Sequence, residues 1–101
     1  MSTPLAVTRA PRADGARVLS VVGEIDMSNS GGLAAAIEAE LDDAGGVVLL
    51  DLTRVDYLDS AGLSVLLLHA DRIEILATAL IAPVLAISGL PELTTVRGLE
   101  P

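Results

Sequence analysis

The chain has 101 residues, a formal net charge of −8 and no cysteine. That length allows one domain with a single core, and the lack of cysteine excludes disulfides, thiolate metal sites and cysteine nucleophiles. Lys and Arg are scarce and Tyr57 is the one aromatic residue, which argues against nucleic acid, since phosphates need cations and unpaired bases need rings. Acidity of this size suits solubility and a partner with a basic patch.

Met1-Ser2-Thr3-Pro4 shows no cationic flank followed by an apolar core, so no leader is read there and a cytoplasmic location is expected. Residues 5–8 and 18–25 read as strands joined by the turn-rich Pro11-Arg12-Ala13-Asp14-Gly15, which suggests a hairpin. Gly23-Glu24-Ile25-Asp26 closes the second strand. Ser28-Asn29-Ser30 then offers N-cap candidates for a helix whose Leu33, Ile37 and Leu41 form one apolar stripe, with Glu38, Glu40 and Asp42 elsewhere on its surface. Gly45-Gly46 is expected to stop that helix.

Val47-Val48-Leu49-Leu50 is apolar without alternation, as in a central strand covered on both faces. A second helix is expected from about Ser60 to Ile75, with Leu63, Leu66, Leu67, Ala70 and Ile73 facing inward. Residues 78–82 read as a final strand, and 84–87 as a helical turn ending at Ser88-Gly89. The uncharged stretch 75–90 is too short to span a membrane and is broken by Pro83, so no membrane role is expected. Strand, helix, strand, helix in this order predicts an α/β fold, a mixed sheet with parallel neighbours, and residues 1–101 as one domain.

The chemistry-bearing residues are few. Ser60 stands at a strand-to-helix turn, where a hydroxyl serves as an N-cap and an anion is also favoured. A Ser–His nucleophile is excluded, because Ser60 and His69 lie nine residues apart on one predicted helix, roughly 13 Å at the helical rise. His69 is expected to be partly exposed. Asp51, Asp56 and Asp59 raise a magnesium site, but no phosphate-binding loop accompanies them, and solvated turn carboxylates are the better reading. No convergent acid, base and binding loop can be assembled, so no enzyme, metal or cofactor is expected. Asp26 should emerge with the Ser60 turn at the same carboxyl edge of the sheet, where open α/β sheets place their sites.

Three segments in order, Gly23-Glu24-Ile25-Asp26, Val48-Leu49-Leu50-Asp51-Leu52 and Asp56-Tyr57-Leu58-Asp59-Ser60-Ala61-Gly62-Leu63, resemble the STAS domains of the anti-sigma-factor-antagonist family. Ser88-Gly89-Leu90 resembles a fourth, weaker element, and the likeness covers about residues 5 to 95. The resemblance implies a partner switch. The serine after the motif aspartate, here Ser60, accepts phosphate from an anti-sigma factor that is also a serine kinase. The unmodified form binds that factor and frees the sigma factor; a phosphatase reverses the modification. The expected partner surface comprises Asp26, Ser28, Asp59, Ser60, Ala61, Gly62, Leu63 and Ser64. Ala61 stands where many relatives carry a second hydroxyl, leaving Ser60 as the acceptor. An alternative within the same fold is a scaffold subunit, in a lipid-transport or stress-signalling complex, that does not switch.

The chain departs from the family in its C-terminal third, which is shorter than in typical relatives by about two helical turns. This predicts a partly uncovered sheet face exposing Leu80, Ile81, Val84 or Leu85, and with it a homodimer or reduced stability.

Overall fold

A computed structural model describes residues 5–11, 17–44 and 46–98. The expected hairpin forms: β1 (Ala6–Pro11) pairs antiparallel with β2 (Arg17–Ile25), from Ala6 opposite Val22 to Pro11 opposite Arg17. Its turn, from residue 12 on, lies outside the described residues. Next come α1 (Ser30–Ala44), β3 (Val48–Leu58), α2 (Ser60–Leu68), a 3-10 turn (Ala70–Arg72) and β4 (Ile73–Leu76). Two short helices, α3 (Ala82–Ser88) and α4 (Leu90–Leu93), lead to β5 (Val96–Arg97). The sheet runs β1-β2-β3-β4-β5, and every pair after the hairpin is parallel.

One core lies on one face of this sheet. Leu19, Leu50 and Ile75 stand in register across β2, β3 and β4 and pack with Leu33, Ile37 and Leu41 of α1, Leu66 of α2 and Leu85 of α3. The next register row, Val18, Leu49 and Glu74, is only half-buried. The central strand is therefore covered on one face, not both.

β3 is also longer than its apolar run. Its buried residues Val48, Leu50 and Leu52 follow the strand period of two, whereas Val55 and Leu58 each come after a step of three. The register against β2 slips at the same two places: Ser20 and Val22 face Asp51 and Arg54, and Gly23 and Glu24 face Val55 and Tyr57. Each slip adds one residue to β3, a bulge that returns the next apolar side chain to the core. Asp51 and Asp56 consequently lie on the strand and not in a turn.

α1 keeps its expected stripe, but Glu40 is not on the surface. It is 1 % exposed, and its two oxygens accept from Arg17 Nη1 at 3.1 Å and Arg9 Nη1 at 3.3 Å. The two arginines extend from the hairpin toward the core side, so the carboxylate staples α1 to β1 and β2. Gly46 comes after the helix with a left-handed φ of 68°; Gly45 lies outside the described residues.

α2 stops at Leu68, about two turns before the expected end. The His69 amide still bonds back to the Val65 and Leu66 carbonyls, at 3.3 Å each. The chain then tightens into the 3-10 turn and extends as Ile73-Glu74-Ile75-Leu76, whose alternation pairs it with residues 48–51 of β3. Leu66, Ala70 and Ile73 are buried as expected, but Leu67 is among the exposed apolar residues.

Residues 78–82 are not a strand. The amides of Ile81 and Ala82 donate to the Thr78 carbonyl, and this turn starts α3, with Pro83 in its first turn where no N–H is needed. Gly89, at φ 86°, ends α3 in the left-handed conformation that favours glycine. Ile81 and Leu85 are buried, Val84 packs against the core, and of the four residues expected to be uncovered only Leu80 is exposed. Ile87 and Leu93 are exposed in the same third of the chain, so apolar surface remains there beyond the four expected residues. β5 is the last strand among the described residues, and the Thr95 carbonyl just before it and the Arg97 carbonyl within it accept from the Ile75 and Ala77 amides at 2.9 and 2.8 Å.

Candidate functional site

β2 and β3 run parallel and end side by side, with Ile25 opposite Leu58. The next residue of each strand, Asp26 on one and Asp59 on the other, therefore emerges at the same carboxyl edge. The two ends are joined: the Asp59 amide donates to the Ile25 carbonyl at 3.1 Å.

The cap of α2 is Asp59, not Ser60. Asp59 keeps the extended backbone of β3 (φ −98°, ψ −175°), and its Oδ1 accepts from the Ala61 and Gly62 amides at 2.9 and 3.1 Å. An aspartate with non-helical backbone satisfies two of the amides that a helix start leaves open and adds negative charge at the favoured end. Ser60 becomes the first helical residue. It is exposed, and its hydroxyl bonds to no other described residue. Freed from capping, that oxygen is available for chemistry.

Gly62 explains why a glycine occupies the third helical position. A Cβ there would collide with Leu58 Cδ1 and stand 2.6 Å from Ile25 Cγ2. The helix start thus rests directly on both strand ends, which holds Ser60 at the edge. One turn on, Ser64 is exposed and its hydroxyl donates to the Ser60 carbonyl at 2.9 Å. Leu63 packs half-buried against the core, and Ala61 is also half-buried.

On the other side of the edge, Asp26 Oδ1 accepts from the Ser28 amide at 2.8 Å and from the Ser28 hydroxyl at 2.5 Å. The Ser28 hydroxyl, then its amide, hold the Asp26 carboxyl below the usual carboxylate value against an opposing effect of burial, with the Asn29 amide adding least. Hydrogen bonds to the charged form favour it. Asp26, Met27, Ser28 and Asp59 line an open depression at this edge. The structure therefore gathers Asp26, Ser28, Asp59 and Ser60, with Ala61 and Gly62 beneath and Ser64 one turn away.

Met27 was not among the expected residues, although it is 81 % exposed inside this polar segment. A large apolar residue directly after a strand, among cap-type residues, was the available signal. Tyr57, half exposed near the end of β3, stands opposite Glu24 just after the second bulge.

His69 lies at the far end of α2 and is buried, not partly exposed. Its Nδ1 donates to the Val65 carbonyl at 2.8 Å, and its Nε2 stands 3.3 Å from Glu38 Oε2 on α1. It ties two helices together away from Ser60. Asp51 accepts from the Thr53 amide and hydroxyl at 3.0 and 2.6 Å within its bulge. Among the described residues no group of three or more His, Asp or Glu could hold a metal ion, and no helix is long and apolar enough to cross a membrane.

A family model described as "Mlab, STAS domain" matches residues 8–95. The anti-sigma-F factor antagonist RsfB of Mycobacterium tuberculosis is 34% identical over 74 residues, 72% of this chain and 61% of its own length. BtrV of Bordetella bronchiseptica shares 37% over 62 residues, 61% of this chain and 53% of that protein. The chain thus spans little more than half the length of these curated relatives. Among solved structures, an anti-sigma factor antagonist from Mycobacterium paratuberculosis superposes with a TM-score of 0.84 at 27% identity, covering 95% of this chain and 89% of that one. Unphosphorylated SpoIIAA superposes with a TM-score of 0.72 at 18% identity over 91% and 88% of the two chains, a likeness of fold.

Proposed function

The chain belongs to the STAS-domain family, and on that premise we propose that it is an anti-sigma factor antagonist switched at Ser60. Unmodified, the edge formed by Asp26, Met27, Ser28, Asp59 and Ser60 binds an anti-sigma factor with serine kinase activity and so releases the sigma factor. Phosphate on Ser60 ends the interaction, and a phosphatase restores it. The setting is cytoplasmic.

The observation that carries this reading is the exposed hydroxyl of Ser60 at the first position of α2, bonded to no described residue, with the capping duty taken by Asp59. A phosphoryl group there adds about −1.5 to −2 charges. The amino end of a helix tolerates them in the free domain. A partner covering the edge meets them together with Asp26 and Asp59, in an interface with less water to screen them. A loss of about 3 kcal/mol would weaken the complex more than a hundredfold. The switch acts on the surface and needs no refolding.

The test mixes the protein with purified anti-sigma factor kinases and ATP, with Ser60→Ala alongside, and reads mass and binding. One added phosphate on the wild type and none on Ser60→Ala is expected. Phosphate on Ser60→Ala would remove the site, and binding to no candidate would remove the function. Binding that Ser60→Asp leaves unchanged would point to the non-switching scaffold.

A further inference from the structure

Asn29 stands where a helix cap belongs, just before α1, yet its side chain turns away from that helix. Its Oδ1 accepts from the Asp26 amide at 2.9 Å, and its Nδ2 donates to the Glu24 carbonyl at 2.8 Å. The backbone closes the same loop a second time, with the Asn29 and Ser30 amides donating to the Asp26 carbonyl at 3.1 and 2.9 Å. The side chain must therefore accept from one backbone group and donate to another, two residues apart. Among side chains of this length only the Asn carboxamide does both: a carboxylate accepts only, and an alkyl group does neither.

What the carboxamide fixes is the turn that presents the site. Ile25, between the two clamped residues, is fully buried and offers its carbonyl to the Asp59 amide. Asp26, held through its own amide, aims its carboxylate back at Ser28, and Met27 is left projecting into solvent beside Asp59. We propose that Asn29 is the positioning residue of the partner surface: its carboxamide clamps Glu24 to Asp26 and so sets how Asp26, Met27 and Ser28 face the edge that carries Ser60. This rests on the reading of that edge as the anti-sigma factor surface.

The test uses the full chain with Asn29→Leu, close in size and unable to hydrogen-bond, and Asn29→Ala as a second variant. Ser30→Ala, at the same helix start, is the control. Three quantities are read: the pH titration of the Asp26 side-chain carboxyl carbon by NMR, affinity for the anti-sigma factor kinase that binds the wild type, and the thermal midpoint. With the clamp removed, Asp26 loses its fixed geometry toward Ser28, so its titration should move up toward the ordinary carboxylate value. Affinity should fall about tenfold or more, and Ser30→Ala should change neither. A purely structural Asn29 would lower the thermal midpoint while leaving the Asp26 titration and the affinity of the folded protein at wild-type values, and that result would overturn the proposal. If Asn29→Leu does not fold, Asn29→Ala decides by the same readings. If the wild type binds no kinase, the functional reading fails by itself, and the Asp26 titration still decides the clamp.

Discussion

The Asp59 amide donates to the Ile25 carbonyl at 3.1 Å, so the residue that caps α2 is bonded to the last residue of the neighbouring strand. Strand pairing continues through this contact into the helix start. The position of Ser60 is consequently set by the sheet and not by a loop, and the separate duties of adjacent residues can be tested one at a time.

Asp59 and Ser60 should part in stability. Asp59→Ala leaves the Ala61 and Gly62 amides without their acceptor and should lower unfolding free energy by about 1 kcal/mol. Ser60→Ala removes a hydroxyl with no described partner and should stay within about 0.5 kcal/mol of wild type. Urea unfolding of the two variants checks this; equal losses would return the cap to Ser60.

Much of this edge was legible in the sequence because it depends on local chemistry. A turn-rich hairpin, the Leu33/Ile37/Leu41 stripe, and an Asp-Ser-x-Gly turn after an apolar strand each carry their signal within a few residues. Errors arose where two periods coincide or where the decisive partner is remote. Leu63, Leu66, Ala70 and Ile73 suit a helical stripe, yet Ile73-Glu74-Ile75-Leu76 also alternates, and pairing with β3 decides for strand. Two bulges hid the true length of β3 by breaking its alternation. Glu40 reads as a surface charge until Arg9 and Arg17, 31 and 23 residues away, fold onto it. Cap preference alone ranks Asp and Ser together, so the choice between Asp59 and Ser60 needed the extended backbone of Asp59.

Gly62→Ala should be costly. Its Cβ would enter Leu58 and Ile25, both themselves packed in the core, and overpacking of this kind typically costs about 1–3 kcal/mol. Gly32, in α1, has open space where its Cβ would lie and no positive φ. Gly32→Ala should be neutral or stabilising by up to about 1 kcal/mol through the unfolded chain. Thermal midpoints of the two variants should move in opposite directions or differ widely; matching losses would mean that α2 does not rest on the strand ends.

Glu40 and its arginines should behave as one unit. Arg17 is the more covered partner and makes the shorter contact, 37 % exposed at 3.1 Å against 62 % at 3.3 Å for Arg9. Arg17→Ala leaves a buried carboxylate leaning on one exposed arginine and should cost about 1–3 kcal/mol. Arg9→Ala, more strongly screened, should cost less than about 1 kcal/mol. The double variant should lose more than the sum of the two, because only then is Glu40 stripped of both donors. Additive losses in urea unfolding would show that the two contacts are independent.

Asp26 gives the edge an acid limit. Its folded carboxyl lies below the ordinary value of 3.8, chiefly through the Ser28 hydroxyl. A lowered folded value means that the ionised form is favoured by folding, so its contribution is complete above 3.8 and is lost as pH falls through the lower folded value. Asp26→Asn should remove that part of the acid dependence and flatten stability against pH below 3.8 relative to wild type. Ser28→Ala should move the Asp26 titration up, read at the Asp26 carboxyl carbon. An unchanged acid limb in Asp26→Asn would assign the dependence to other carboxylates.

Met27 separates binding from folding most cleanly. The residue is 81 % exposed and belongs to no part of the core cluster, so shortening it removes little buried surface. Met27→Ala should leave the thermal midpoint within the scatter of neutral surface changes, about 0.5 kcal/mol in stability. As an apolar side chain beside two carboxylates, it is the one residue of the depression that gains by leaving water when a partner closes over the edge. A flexible thioether also adapts to an irregular socket. Truncation should therefore weaken binding to the anti-sigma factor about tenfold, close to 1.4 kcal/mol. Because Ser60 stays unmodified and Asp26 stays ionised, such a loss can come only from contact area. Unchanged affinity in Met27→Ala would mean that the partner approaches along α2 and leaves the Asp26 side of the edge in water.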